Sequence, residues 1–200
     1  PDDIIKPSKI QKLMNINHWY LLKIFLFFFI YLISVTISLY LDKNLSFGVL
    51  LSSPFYLVTG ASLHGICLFT HEGVHKTLHK NIWINNIIGS ICGYLVLQTM
   101  SGYRVLHLKH HKYLNIKGDP GLLKTYVSNK YVIAAMEWGY FLFGYAAFIT
   151  VIPYQGFKQG NKKDRFLIIV DVLIVLILFG SLIRYLPFPW FLHGWLIPMI

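Results

Sequence analysis

The run I-F-L-F-F-F-I-Y-L-I-S-V-T-I-S-L-Y-L, residues 24–41, carries no charge over 18 positions. As a helix it reaches across about 30 Å of hydrocarbon. A tight polar break, Asp42-Lys43-Asn44, follows, and residues 45–70 are again uncharged. The pair predicts a helical hairpin with almost nothing outside a bilayer. The whole 200-residue chain agrees: hydrophobic residues make up 56% and charged residues 13%, about half the charged share of an ordinary soluble domain. With 15 Phe, 13 Tyr and 5 Trp, and a mean hydropathy of +0.56, the chain has too few polar side chains to cover a water-facing surface. A soluble domain and a disordered chain are both excluded. Cys67 and Cys92 lie in apolar stretches, so no disulfide scaffold is implied.

Charge sets the expected topology. Eighteen Lys and Arg against eight acids give +10, and the excess sits between apolar runs. There it reads as positive-inside orientation rather than nucleic-acid binding. Residues 71–130 hold eight Lys/Arg against two acids, which places them in the cytoplasm together with the Lys-bearing N-terminus. The first apolar run, near residue 19, is long enough to span, so no cleavable signal peptide is expected. Residues 131–153 are apolar enough to span but contain Glu137 and precede Lys158, Lys162, Lys163 and Arg165. An interfacial or re-entrant course keeps that basic loop inside and is the preferred layout, with spanning as the alternative. Residues 166–184 then cross, Pro187-Phe188-Pro189 turns, and 190–200 starts back.

The expected fold is all-α: a multi-pass membrane protein with spans near 20–41, 46–70, 166–184 and 190–200. These form two transmembrane hairpins of a single domain, residues 1–200, with a histidine-rich metal site on the cytoplasmic face. The chain begins with Pro1 and stops at Ile200 inside an uncharged run, so it is expected to be a piece of a longer protein.

Seven of the nine histidines fall between His64 and His111, mostly in two clusters. T-H-E-G-V-H-K-T-L-H (70–79) places His71, His75 and His79 at i, i+4 and i+8, one slowly drifting stripe if helical. R-V-L-H-L-K-H-H (104–111) places His107, His110 and His111 at i, i+3 and i+4. Imidazole nitrogens suit Fe, Zn, Cu and Ni. A single histidine near a bilayer is easily satisfied by water or headgroups. Two helically spaced clusters point instead to one or two metal ions.

These residues resemble the membrane fatty acid desaturase and hydroxylase superfamily, which includes carotenoid hydroxylases and ketolases. The resemblance covers roughly residues 60–122. It rests on H-E-G-V-H (71–75), N-N-I-I-G (85–89), Y-R-V-L-H-L-K-H-H (103–111), Asn115 and D-P-G (119–121). It implies a non-haem centre of two Fe ions, ligated mostly by histidine, that uses O2 and two electrons to attack an unactivated C–H bond. His71, His75, His107, His110 and His111 match the family's ligand positions, and His79 matches a subset whose first box reads H-x3-H-x3-H. The physics agrees. Removing hydrogen from a methylene needs an oxidant no side chain supplies, and soluble di-iron bundles use carboxylates, whereas this chain has only eight acids, with Glu72 alone beside a box. Five or six imidazoles are too few for two irons, and the family's further H-x2-H-H is expected beyond residue 200.

A rival sits in the same letters. His71-Glu72-Gly73-Val74-His75 is H-E-x-x-H, the zinc metalloprotease signature with Glu as general base and Asp119 as a possible third ligand. It leaves His107, His110 and His111 unexplained. Asp119, before Pro120-Gly121, is either a turn residue or an acceptor that orients a ligand imidazole. Arg104 anchors the second box at the headgroups or meets an acidic substrate, and Asn85 and Gly89 allow close packing beside the first box. His64 lies roughly 10 Å deeper than His71 and is set aside. His18 and His193 carry no signal, and Asp171 has no account.

The preferred function is a membrane oxidoreductase that desaturates a fatty acyl chain. Lipid or carotenoid hydroxylation is the alternative. Electrons are expected from a ferredoxin or cytochrome b5-type donor docking on the basic segments 76–130 and 154–165.

Overall fold

A computed structural model describes residues 16 and 18–199, apart from the side chains at 18, 140–143 and 147. The Lys-bearing N-terminal stretch, the His18 side chain and residue 200 therefore lie outside the described residues. Among the described residues the chain is all-α, with no strand. Its principal helices are α1 (Leu22–Asn44), α2 (Ser53–Val74), α3 (Ile82–Tyr94), α4 (Met100–Lys112), α5 (Lys130–Gln159) and α6 (Lys162–Tyr185).

Helix α1 is built inside out relative to a soluble helix. Its buried residues are Ser34, Val35 and Ser38, whereas Phe25 is 71% exposed and Leu26, Phe29, Ile33 and Tyr40 also face outward. Small side chains let helices approach and large apolar ones meet lipid, as expected where the surroundings are as apolar as the core. Helix α2 shares the pattern in part, with Thr59, Ser62 and Thr70 inside and Leu57 77% exposed, but it also buries Leu63, Ile66 and Phe69. This is a membrane protein. Trp19–Asn44 and Lys162–Tyr185 are long and apolar enough to cross a bilayer. The expected span 46–70 is interrupted: Gly48–Leu51 forms a single turn, and α2 begins after Ser52.

Between the two histidine clusters the sequence reading placed a cytoplasmic stretch without a defined element. The structure has a helical hairpin instead. Helix α2 ends at Val74, and α3 returns antiparallel along it. Thr70 Oγ1 donates to the Gly89 carbonyl at 2.8 Å, and a Cβ on Gly73 would lie 3.0 Å from Gly89 Cα. Asn81 starts α3 by accepting from the Trp83 and Ile84 amides. After a turn at residues 95–99, α4 runs back toward the C-terminal end of α2. That turn is pinned from outside by the Tyr145 hydroxyl on Val96 O and the Trp195 indole on Leu95 O.

Helix α5 has two limbs, 130–139 and 144–159, whose axes meet at 101°, so the stretch expected as interfacial or spanning does not run straight. Its second limb packs on α4 backbone to backbone: a Cβ on Gly156 would fall 2.8 Å from Gly102 Cα. Helix α6 opens with a capping box, Asn161 with Asp164, and packs on α4 and α5. The last turns, Phe188–Met199, lie against α1 and α2. There His193 corrects the sequence reading. It is fully buried, its Nδ1 3.0 Å from the Tyr56 hydroxyl. Its Nε2 lies 3.3 Å from Asp42 Oδ2 without the alignment of a hydrogen bond.

The α4–α5 contact yields a test. Gly156→Val should push the helices apart and lower stability by about 1–3 kcal/mol, as overpacking does. Gly180→Ala, where a Cβ meets nothing within 4 Å, should not lower it. Thermal melts of the purified protein in detergent check both, and equal melting temperatures would contradict the contact.

Candidate metal centre

The C-terminal end of α2 carries the first cluster, and its termination decides which histidines stay on the helix. Lys76 adopts φ +62°, Thr77 N bonds Glu72 O at 3.2 Å and Lys76 N bonds Gly73 O at 3.1 Å. This is a Schellman end, with lysine where glycine is usual. Asn85 locks it from α3: its side-chain amide donates to Gly73 O at 2.8 Å and its Oδ1 accepts from Leu78 N at 3.1 Å. His71 lies on the final turns and His75 at the C-cap. His79 falls past the end, so the expected three-histidine stripe breaks there. Its Nδ1 accepts from Asn81 N at 2.9 Å.

Helix α4 delivers the second cluster to the same place. A nitrogen from each of His71, His75, His107 and His111 lies within 4.8 Å of the others. His107 Nε2 is 2.9 Å from both His75 Nε2 and His111 Nε2. One imidazole nitrogen holds either one proton or one lone pair, so a single N–H cannot point well at both neighbours. A cation at the focus would satisfy all of them, so the donor set fits a metal of the kind imidazole prefers. Two of the imidazoles, His75 and His107, are held in the protonation state that requires. Burial, then the neighbouring His71, His111, His75 and His110, push His107 down to about 4. Burial, then His71 and His111, lower His75 against the opposing pull of Glu72. Both are neutral at neutral pH.

Carboxylates stand behind the ring. Glu72 Oε1 is 3.4 Å from His71 Nδ1, while its Oε2 accepts the Thr77 hydroxyl at 2.6 Å. Asp119, 0% exposed, faces His110: its Oδ1 lies 2.8 Å from His110 Nδ1 and also accepts from Gly121 N at 2.7 Å, while Oδ2 accepts from Asn115 N at 2.9 Å. Burial pushes its carboxyl up, but these hydrogen bonds prevail and hold it below the usual range. An Nδ1–H given to a carboxylate leaves the Nε2 lone pair outward, as a metal ligand requires. His110 itself is outside the four-nitrogen group, its ring centroid 6.2 Å from that of His107 and 5.8 Å from that of His111. Arg104 donates to Ser101 Oγ at 3.5 Å.

Tyr103 was missed by the sequence reading. Its ring stacks on His107 at 4.9 Å and 20°. The available signal was its place four residues earlier on the same helix face.

Residues 47–200 match the fatty acid desaturase family. The chain belongs to that family. Among characterised relatives, an sn-1 oleoyl-lipid 12-desaturase of Picosynechococcus sp. is 29% identical over 31% of this chain and 18% of its own length. That of Arthrospira platensis is 30% identical over 30% and 17%. An sn-1 acyl-lipid omega-3 desaturase (ferredoxin) of Nostoc sp. is 27% identical over 64% of this chain and 34% of its own. The matched stretches thus span about a third or less of these relatives. No solved structure matches. In this desaturase-family chain the four convergent imidazoles all lie inside the matched residues.

Two outcomes follow from this geometry. Because the folded His107 value lies below the ordinary 6.5, the unfolded chain takes up protons first. Stability of the metal-free protein should therefore be fully present above about pH 6.5 and fall as pH drops toward 4. Melting temperatures across that range check it, and a flat profile would contradict it. Asp119→Ala should weaken metal binding by about 10–100-fold by freeing the His110 ring, as read by competitive metal titration. Unchanged affinity would remove Asp119 from that role.

Proposed function

We propose that this protein is the part of a membrane-bound, O2-dependent lipid desaturase that supplies much of its di-iron ligand set. The observation that carries the reading is the convergence of His71, His75, His107 and His111 in a chain of the fatty acid desaturase family. These four would hold one iron, and His110, oriented by Asp119, would serve a second. His79, whose Nδ1 takes the Asn81 amide proton, stands outside the proposed set. Bound iron supplies the oxidising power to remove hydrogen from two adjacent acyl carbons, while O2 becomes two waters with two electrons and two protons from outside.

The residues of the chain have distinct tasks. Glu72 and Asp119 accept Nδ1–H from His71 and His110 and so fix the tautomers that present Nε2. Tyr103 lies flat against His107 and restrains its rotation. The apolar faces of α1 and α6 keep the protein in the bilayer, where an acyl chain already resides. The charge asymmetry supports a cytoplasmic site: residues 71–130 carry eight basic residues against two acids. The same basic surface suits an acidic electron carrier, and one relative's name specifies ferredoxin. Nothing favours peptide hydrolysis, since Glu72 is occupied by Thr77 and His71.

Expression of the intact protein in a host with monounsaturated lipids tests the reading. Mass spectrometry of the acyl chains should show an added double bond, and purified protein should contain iron. His107→Ala should lose both. A hydroxylated product would move the reading to the hydroxylases, and stoichiometric zinc with no lipid product would defeat it.

A further inference from the structure

Helix α4 carries His107, His110 and His111, yet it is not capped by its own residue. Thr99 stands at the N-cap position in extended backbone, but its side chain accepts no bond from the helix, and among the described residues its Oγ1 is buried without a partner. The acceptor comes from 70 residues away. Asp171 of α6, 6% exposed, takes the Ser101 amide on Oδ2 at 2.8 Å and the Tyr94 hydroxyl on Oδ1 at 2.6 Å. Ser101 is the second residue of α4, and its N–H is one of those a helix start leaves unsatisfied. A carboxylate there also meets the positive end of the helix dipole. Tyr94 is the last residue of α3. One side chain thus ties the end of α3, the start of α4 and the body of α6. An acidic group inside so apolar a helix is expensive and is retained for a task.

We propose that Asp171 is a positioning residue for the histidine centre, capping α4 from a neighbouring helix and fixing the height at which His107, His110 and His111 meet His71 and His75. The inference rests on the metal-binding reading above. From Ser101 to His107 is six residues, about 9 Å of rigid helix, so a slide at the cap is felt at the imidazoles. The Gly102–Gly156 contact sets how far α4 stands from α5 but resists sliding along the helix axis poorly. Asp171 supplies that register. Asparagine can do the same, since its oxygen still accepts from Ser101 N and its amide can donate to the Tyr94 oxygen. Alanine cannot.

Co2+ binding to the intact, metal-depleted protein in nanodiscs is the test, with the d–d absorption band reporting coordination geometry. Asp171→Ala should weaken Co2+ binding at least about tenfold and shift the band, with helix content by circular dichroism unchanged. Asp171→Asn should restore affinity and band to those of the unaltered protein. Unaltered binding in Asp171→Ala overturns the proposal, and so does an Asp171→Asn variant as impaired as alanine. If Asp171→Ala does not fold, adding Thr99→Asp should restore folding and Co2+ binding by capping α4 locally, and failure to restore them also overturns it. His107→Ala separates the two readings. If it binds Co2+ as the unaltered protein does, the metal site itself is misassigned, whatever Asp171 does.

Discussion

Imidazole nitrogens brought face to face need a proton or a cation between them. In this protein four such nitrogens meet at the joined ends of two helices, and much of the surrounding structure serves to bring them there. Burial and mutual repulsion hold His75 and His107 neutral, so both rings retain a lone pair to offer. A cluster of that kind gains little for folding by itself. Its free-energy return comes from an ion that binds the folded state and not the unfolded one.

The winding of α2, α3 and α4 follows from the need for convergence. The two clusters are 32 residues apart from His75 to His107, and the chain between them must leave the site and come back. It does so as an antiparallel helical hairpin whose close approach depends on Gly73 and Gly89, where a Cβ on either would reach the other's Cα within about 3 Å. Asn85 then couples the hairpin to the end of α2, so one buried amide both shapes the turn after the first box and packs α3. Carboxylates are few, and those near the site are committed: Glu72 and Asp119 to imidazoles, Asp171 to a helix start. In an apolar environment an uncommitted carboxylate would be too costly to keep.

The sequence made some of this legible and hid the rest for physical reasons. The apolar run of α1 and the predominantly apolar body of α6 are long enough to announce themselves. The second box lies on one continuous helix, so His107 and His111 at i and i+4 share the site, whereas His110 at i+3 lies outside the four-nitrogen group, and Asp119 as acceptor for a ligand imidazole was one of two readings. His79 was misplaced because its stripe assumed a helix that a lysine in left-handed backbone ends three residues earlier. Helix α3 was not placed because 13 residues are too few to span, although Asn85 and Gly89 were read as packing beside the first box. Asp171 and His193 gave no pattern at all, since their partners, Ser101 with Tyr94 and Tyr56, are 70 to 137 residues distant in sequence.

Iron is the ion proposed for these histidines. X-ray absorption at the iron edge of the intact purified protein addresses it most directly. The account predicts a first shell rich in nitrogen with the outer-shell scattering of several imidazoles, diminished when His75 or His111 is replaced by alanine. A shell of carboxylate oxygens without imidazole scattering, or a protein that carries zinc in place of iron, would contradict it.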